Sequence, residues 1–325
     1  MKIYIWFFAI FNLILGDAMA YKNEQNESFT FIDLFAGIGG FHIAFHQLGG
    51  ECVYASEWDE NARKTYEYNF KKNSPNIFQN DLFRGDITLE ENQKSIPEDV
   101  DILCAGFPCQ PFSQAGFKKG FSEIRGTLFF EIAKIIREKQ PKTIFLENVR
   151  HLLNHDNGKT FEVIRNILEN ELHYSIFYKI MKASDYGLPT HRPRIYIIGF
   201  RKDLNINSFE FPAPIPLKIT MKEIFQGECA KEIGYTLRVG GRGSGLHDRR
   251  NWDTYLVNGK IHRITSNEAK LMMGFPDDFF FPVSEAQALK QLGNSVAVDP
   301  IRMTTEAILN VINESKRNNY AIECQ

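Results

Sequence analysis

The chain has 325 residues, of which 43% are hydrophobic and 24% are charged, so disordered, collagen-like and coiled-coil descriptions of the whole chain are excluded. Its 38 basic and 40 acidic side chains give a net charge of -2, which excludes a generally basic, nucleic-acid-binding surface. The 5 cysteines are odd in number and include no Cys-x-x-Cys pair, so we expect neither a disulfide framework nor a zinc ribbon, and we assign no metal.

Residues 1–28 form a hydrophobic extension and a polar linker. Lys2 precedes an apolar run over residues 3–15, and the following Gly16-Asp-Ala-Met-Ala20 is typical of a cleavage site. Residues 1–20 therefore resemble a secretory signal peptide and are too short to span a bilayer. The alternatives are a start codon set upstream of the native one and a passive extension.

From Phe29, short apolar runs alternate with stretches of helical period. This alternation predicts an α/β fold with a doubly wound, mostly parallel sheet covered by helices on both faces. The predicted strands are Phe29–Phe35, Cys52–Ser56, Asp101–Ala105, Thr143–Leu146, Tyr174–Ala183 and Ile195–Phe200. The predicted helices are Phe41–Leu48, Glu60–Phe70, Gly126–Lys139 and Lys159–Asn170.

The composition changes after residue 200. Residues 201–284 are rich in proline, glycine and turn signals, and they predict a second, smaller, loop-rich domain. Residues 285–319 become helical again, and the C-terminal segment 285–325 is expected to return to the first domain, which spans residues 29–200.

A glycine loop leads from the first strand into the first helix. Gly37-Ile-Gly-Gly40 allows backbone amides to approach a ligand, although neither the dinucleotide spacing nor a P-loop lysine is present. Glu57 ends the next strand and suits the hydroxyls of a ribose. Asp86 is placed to accept from an adenine amino group. The alternatives are a tight turn with a surface glutamate, and a turn or N-cap aspartate.

Cys109 stands between Pro108 and Pro111, directly after a predicted buried strand. The prolines fix the backbone, and the carboxyl ends of parallel strands are where such sheets bind ligands. A thiol there favours a nucleophile over a buried core cysteine, which is the interpretation we give to Cys104.

Three further polar residues follow later strands. Glu147 ends the strand that begins at Thr143, and a carboxyl among apolar neighbours can have a raised pKa and donate a proton. Arg192 and Arg194 alternate and can share one face, where they would hold a base edge, a phosphate or a carboxylate. The alternatives are a surface glutamate and a solvated basic loop.

Together these residues resemble the DNA (cytosine-5)-methyltransferases of bacterial type II restriction–modification systems. The resemblance runs from about Phe29 to Arg201 and resumes at about Arg263. It rests on nine blocks in the family's order: Asp33-Leu-Phe-Ala-Gly-Ile-Gly-Gly40, Glu57-Trp-Asp59, Gly85-Asp-Ile-Thr88, Gly106-Phe-Pro-Cys-Gln-Pro-Phe-Ser113, Arg125-Gly-Thr-Leu-Phe-Phe130, Glu147-Asn-Val149, Arg192-Pro-Arg194, Met273-Gly-Phe-Pro276 and Gln291-Leu-Gly-Asn-Ser-Val296.

The resemblance implies a class I methyltransferase fold, a target-recognition domain at 201–284 and a catalytic mechanism. Cys109 would add to carbon 6 of a flipped cytosine, and carbon 5 would take a methyl group from S-adenosylmethionine. Glu147 would support ring nitrogen 3, while Arg194 with Arg192 would contact the O2 region or orient the nucleophile. The implied cofactor residues are Phe35, Gly37, Ile38, Gly40, Glu57, Trp58, Asp86, Ile87, Pro108, Asn294 and Val296.

One departure and one charge pattern bear on DNA binding. The family often has glutamine where this chain has Thr190, which puts the bracing of that loop in doubt. Residues 238–263 carry six basic and two acidic side chains, net +4. This concentration predicts phosphate and guanine contacts, although a solvated loop is the alternative. The DNA-binding candidates are Lys118, Lys119, Arg125, Arg242 and Arg249.

The implied partners are double-stranded DNA and a cognate restriction endonuclease that acts separately. We expect a monomer without a membrane partner. Since S-adenosylmethionine, DNA and a reduced thiol coexist in the cytoplasm, we expect a cytoplasmic enzyme and interpret residues 1–20 as passive or as a mis-set start. The alternatives are a tRNA cytosine-5 methyltransferase, whose Cys-Phe-Thr signature is absent, and a catalytically silent cofactor- or DNA-binding module.

Overall fold

A computed structural model describes residues 28–108 and 127–323 of the chain, with side chains as far as residue 317. Its centre is a seven-stranded sheet with the order β3-β2-β1-β4-β5-β7-β6. The hydrophobic segment 1–20 lies outside the described residues. The strands are β1 (Phe29–Leu34), β2 (Gly50–Ser56), β3 (Phe83–Arg84), β4 (Ile102–Gly106), β5 (Thr143–Val149), β6 (Tyr174–Lys182) and β7 (Pro193–Arg201).

The predicted mostly parallel α/β sheet is confirmed, with one strand reversed. β1, β2, β3, β4 and β5 pair in parallel, whereas β7 is antiparallel to both β5 and β6. The reversal follows from chain length, because a parallel pair needs a crossover of about a dozen or more residues, usually a helix. The segment between Lys182 and Pro193 holds only a short 3-10 turn, so β7 returns beside β6 as an antiparallel neighbour.

Helices cover both faces of the sheet. The predicted helix Glu60–Phe70 has the predicted bounds, and its N-cap Asp59 accepts hydrogen bonds from the amides of Asn61 and Ala62. The helices are α1 (Gly40–His46), α2 (Glu60–Phe70), α3 (Pro75–Gln79), α4 (Glu90–Lys94), α5 (Leu128–Lys139), α6 (Lys159–Asn166), α7 (Met221–Phe225), α8 (Ser266–Met272), α9 (Glu285–Asn294) and α10 (Val298–Glu323).

The core consists of two apolar clusters, one on each face of the sheet, because successive side chains along a strand point to opposite faces. Phe31 of β1 belongs to the apolar cluster that includes residues of α1 and α10, while Ile32 belongs to the cluster formed with α5 and α6. Because both faces of the strands are buried, the central strands read as nearly continuous apolar runs. The C-terminal helix α10 packs against α1, so the end of the chain completes the first face.

Residues 202–284 contain little regular structure. Besides α7 and α8, this region has a hairpin formed by β8 (Thr254–Val257) and β9 (Lys260–Arg263). Trp252 and Tyr255 belong to the same apolar cluster as Phe31. The proposed boundaries at residues 200 and 284 therefore stay a prediction, since one cluster continues across both. No helix in the described part of the chain has the length and apolar character needed to cross a membrane.

Asp33 of β1 is a buried carboxyl group without a full set of partners. Cys104 Sγ lies 3.6 Å from Asp33 Oδ1, and Oδ2 has no hydrogen-bond partner among the described residues. Burial raises the pKa of Asp33 to about 8, and the charge of Glu57 acts in the same direction. The folded protein therefore keeps a proton that the unfolded chain releases near its ordinary pKa of 3.8.

This difference predicts a pH-dependent stability. Between about pH 4 and pH 8 the Asp33 carboxyl is protonated in the folded state and ionised in the unfolded chain, so the contribution of Asp33 to the free energy of unfolding falls as the pH rises. Asp33→Asn removes this dependence. Since one pKa unit corresponds to about 1.4 kcal/mol, we expect the wild type to lose at least about that much relative to the variant across this range. Urea unfolding at several pH values measures it, and a pH-independent difference would contradict the assignment.

Candidate active site

A cavity of about 780 Å³ lies at the edge of the sheet where β1, β2, β4 and β5 end. Parallel α/β sheets bind ligands at this edge because loops and helix N-termini meet there. Helix α9 and the residues after it close the opposite wall. The predicted residues that line the cavity are Phe35, Gly37, Ile38, Glu57, Trp58, Asp86, Ile87, Pro108, Glu147, Arg194 and Asn294.

The glycine loop and Glu57 are held together by hydrogen bonds. The Gly37 amide donates to Glu57 Oε2 and the Asp59 amide donates to Oε1, both at 2.8 Å. Burial raises the pKa of Glu57, and these amides partly offset the effect. Gly37 has a φ of 57°, a conformation that glycine adopts readily. The loop thus fixes a carboxylate at the cavity wall and leaves further lone pairs for a ligand.

Gly40 and Val296 lie behind the wall, and neither lines the cavity. A Cβ atom at Gly40 would lie only 2.6 Å from Val296 Cγ2, so the absence of a side chain allows this close approach. The structure therefore brings the returning C-terminal segment directly against the glycine loop.

Trp58 and Asp86 occupy the neighbouring part of the wall. The Trp58 side chain is 78% exposed, so the residue is not an ordinary core tryptophan. Asp86 Oδ1 accepts a hydrogen bond from the Thr88 amide at 2.9 Å. This is the turn contact of the structural alternative, yet Asp86 also lines the cavity. Both residues remain accessible to a planar, hydrogen-bonding ligand.

Glu147 and Arg194 meet at the far end of the cavity. Arg194 Nε lies 2.9 Å from Glu147 Oε1, but no described donor is aligned on Oε1 with hydrogen-bond geometry. Burial raises the pKa of Glu147, and the charges of Arg194 and Arg192 oppose this shift without cancelling it. A buried carboxyl group of this kind can hold a proton and donate it to a ligand atom.

Arg192 occupies a different place from Arg194. Its buried guanidinium donates to the carbonyl oxygen of Gly293 at 3.1 Å and to that of Ser295, and it does not line the cavity. Burial lowers the pKa of Arg192 to about 9, which leaves the side chain protonated at neutral pH. Arg192 thus connects the start of β7 with the C-terminal segment.

Thr190 braces its loop towards residues 234–235. Its hydroxyl donates to the carbonyl oxygen of Tyr235 at 3.2 Å, and the Gly234 amide donates to that of Pro189 at 2.9 Å. Backbone contacts and a shorter side chain therefore anchor the loop at the position where glutamine is frequent in the family.

Asn148 is a residue for which no role was predicted. Its buried side chain donates from Nδ2 to the carbonyl oxygen of Phe107 at 2.8 Å. Phe107 and Pro108 line the cavity and lead into the predicted nucleophile. Cys109 itself, with Lys118, Lys119 and Arg125, lies outside the described residues. The only hint in the sequence was the position of Asn148 directly after Glu147.

The basic segment 238–263 is stabilised by contacts among its own residues. The Gly243 amide donates to Asp253 Oδ2 at 2.9 Å, and Arg250 forms an ion pair with Asp248 at 2.9 Å. Arg242 and Arg249 are exposed and make no hydrogen bond or ion pair within the described chain. These two side chains are therefore available to an anionic partner.

Known proteins resemble this chain over most of its length. The family described as "C-5 cytosine-specific DNA methylase" matches residues 29–239 and 225–310. Type II methyltransferase M.HpaII of Haemophilus parainfluenzae is 44% identical in a match that covers 87% of this chain and 90% of that protein. Type II methyltransferase M.HhaI of Haemophilus parahaemolyticus is 42% identical in a match that covers 86% of this chain and 94% of that protein.

A solved structure shares the fold at lower sequence identity. It is a putative DNA modification methyltransferase encoded within an Escherichia coli prophage. The two structures agree with a TM-score of 0.65 and 22% identity, covering 88% of this chain and 99% of the other. The likeness in fold therefore extends over most of this chain.

The contact between Glu147 and Arg194 predicts a measurable pKa change. Arg194→Met removes the strongest charge that favours the ionised carboxylate while burial remains, so the pKa of Glu147 should rise further. Arg194→Lys keeps the positive charge and should change the pKa of Glu147 less. Infrared difference titration of the carboxyl band measures the pKa, with Glu147→Gln assigning the band. An unchanged or lower pKa in Arg194→Met would show that the ion pair does not control this group.

Proposed function

The chain belongs to the family of C-5 cytosine-specific DNA methylases, which use S-adenosylmethionine, and we propose that it methylates carbon 5 of one cytosine within a short duplex sequence. The observation that carries this proposal is the contact of Glu147 with Arg194 beside Phe107 and Pro108, in the same cavity as Glu57. The type II relatives support DNA over tRNA as the substrate. The Glu147–Arg194 pair argues against a catalytically silent module.

The cavity residues fit the methyl donor. The Glu57 carboxylate suits ribose hydroxyls, and the exposed ring of Trp58 suits the face of an adenine. Asp86 and Ile87 would hold the adenine edge, while Pro108 and Asn294 would contact the methionine part. S-adenosylmethionine supplies a methyl group on its positively charged sulfur.

The chain's own residues would perform the remaining chemistry. Cytosine carbon 5 reacts poorly with a methyl donor until a nucleophile adds to carbon 6, and Cys109 is proposed to make that bond as a thiolate. Glu147 would share or donate a proton at ring nitrogen 3, so that negative charge does not accumulate on the ring. Arg194 would orient Glu147 and contact the O2 region. Once carbon 5 carries the methyl group, loss of its proton to solvent returns the electron pair to the ring and expels Cys109 as a thiolate.

The cytosine must leave the helix for this addition, because the face of carbon 6 is covered in stacked DNA. Arg242 and Arg249, with Lys118, Lys119 and Arg125, are proposed to contact the duplex. We further propose that the enzyme acts as a monomer in the cytoplasm and protects DNA from a separate cognate endonuclease.

A methyl-transfer assay tests the proposed function. Tritiated S-adenosylmethionine should label duplex DNA and leave tRNA unlabelled, and Cys109→Ser should lower the turnover number by at least about a thousandfold, since nucleophilic addition is lost. Lys64→Met, an exposed change on α2, serves as the matched control. Label in tRNA alone would overturn the substrate, while retained turnover in Cys109→Ser would overturn the covalent mechanism.

Asn148 provides a second test. Asn148→Ala removes the donor to the Phe107 carbonyl, so the segment leading to Cys109 loses a fixed anchor. A small misplacement of a reacting group can cost about a hundredfold, and we expect kcat to fall by about ten- to a hundredfold. Affinity for S-adenosylhomocysteine should change less than about threefold. Lys64→Met serves again as the control because this exposed residue lies outside the cavity lining. A kcat within about twofold of wild type in Asn148→Ala would contradict the positioning role.

A further inference from the structure

Arg63 lies in the first turns of α2, close behind the cavity wall that carries Glu57. Its side chain is half-buried, and the guanidinium lies 4.3 Å from the centre of the Phe83 ring. Nη1 donates to the carbonyl oxygen of Glu57 at 3.1 Å and to that of Arg84, and Nη2 donates to that of Phe83 at 3.1 Å. One side chain thus holds backbone atoms from two strand ends.

These carbonyls lie where the sheet itself offers little support. β3 is an edge strand of 2 residues, and its ladder with β2 joins only Ala55 with Phe83 and Ser56 with Arg84. Two further backbone hydrogen bonds run from the Ala55 amide to the Leu82 carbonyl at 3.1 Å and from the Glu57 amide to the Arg84 carbonyl at 3.0 Å. The charged donors of Arg63 therefore form a large part of the connection between the two strand ends.

The connection bears directly on the cavity. Glu57 follows β2 and Asp86 follows β3, and both line the cavity, whereas Arg63 does not. Arg63 also makes no ion pair with either carboxylate, because its donors are directed at backbone carbonyls. Both carboxylates thus keep lone pairs for a ligand, and their separation depends on how the strand ends are tied.

We propose that Arg63 is a positioning residue for the adenosine part of the methyl donor: it ties the ends of β2 and β3 together so that Glu57 and Asp86 face the cavity at a fixed separation. This inference rests on the ligand roles proposed above for these two carboxylates. The planar guanidinium donates in several directions at once, which a lysine ammonium on a flexible stem does not reproduce.

Binding of S-adenosylhomocysteine to the full chain, measured by calorimetry without DNA, tests the inference. Arg63→Met keeps a stem over Phe83 and removes all donors, and its Kd should rise at least about tenfold, with Arg63→Lys intermediate. Lys64→Met removes a positive charge from the neighbouring exposed position and should stay within about twofold. In methyl transfer, KM for S-adenosylmethionine should rise while kcat and KM for DNA change by less than about threefold.

Two comparisons separate positioning from general stabilisation. Thermal unfolding of every variant is recorded, and a lower Tm with an unchanged Kd in both Arg63→Met and Arg63→Lys would overturn the inference. In a double-mutant cycle, Arg63→Met should cost less affinity in the Asp86→Asn background than in the wild type, since the positioned group is already impaired. Equal costs in both backgrounds would overturn it as well.

The same measurements distinguish this inference from the proposed ligand roles. If Glu57→Gln and Asp86→Asn weaken binding while Arg63→Met does not, only the positioning role of Arg63 fails. If neither carboxylate variant weakens binding, the ligand roles of Glu57 and Asp86 fail, and the inference about Arg63 fails with them.

Discussion

The reversed direction of β7 is the constraint on which the catalytic end of the cavity depends. β5 ends at the ligand-binding edge of the sheet, and an antiparallel β7 begins at that same edge, so that Val149 pairs with Arg194. In a parallel β7 the first residues would lie at the opposite edge, far from Glu147. The direction of β7 therefore places the guanidinium of Arg194 beside the carboxyl group of Glu147, which lies on β5.

The contact between Glu147 and Arg194 fits the proposed proton transfer better than a role in stabilising the fold. Two charges removed from water carry a desolvation cost that their attraction repays only when the geometry is ideal. Here Oε1 of Glu147 has no aligned donor, and burial keeps the pKa of the carboxyl raised although Arg194 lies beside it. Burial thus favours the neutral form of this carboxyl group while Arg194 favours the charged form, and a carboxyl group that can take up a proton is what the proposed proton sharing with a ring nitrogen requires.

Sequence patterns predicted the layers of the fold and most of the cavity because those features are local. The apolar runs of β1 and β4, the helix Glu60–Phe70 and the glycine loop each depend on neighbouring residues. What the sequence could not predict depends on tertiary geometry. Alternation suggested that Arg192 and Arg194 share a face, yet Arg192 turns towards the carbonyls of Gly293 and Ser295.

Gly40 and Val296 were predicted to contact the cofactor, yet neither lines the cavity. A motif indicates that residues lie close together, but it does not indicate which atoms face a ligand. They pack against each other behind the cavity wall. Asn148 and Arg63 were missed for a related reason, since both act on backbone carbonyls. A carbonyl is present at every position and leaves no trace in the sequence.

The last wall of the cavity comes from the end of the chain, and three contacts fix it. Arg192 holds the carbonyls of the returning segment, and Val296 fills the space left by Gly40. The buried hydroxyl of Thr65 donates to Gln291 Oε1 at 3.0 Å, which joins α2 to α9. Since α2 also carries Arg63, one helix connects the wall formed by Glu57 and Asp86 with the wall formed by α9. The cavity can therefore keep its shape only when the two ends of the catalytic fold are packed together.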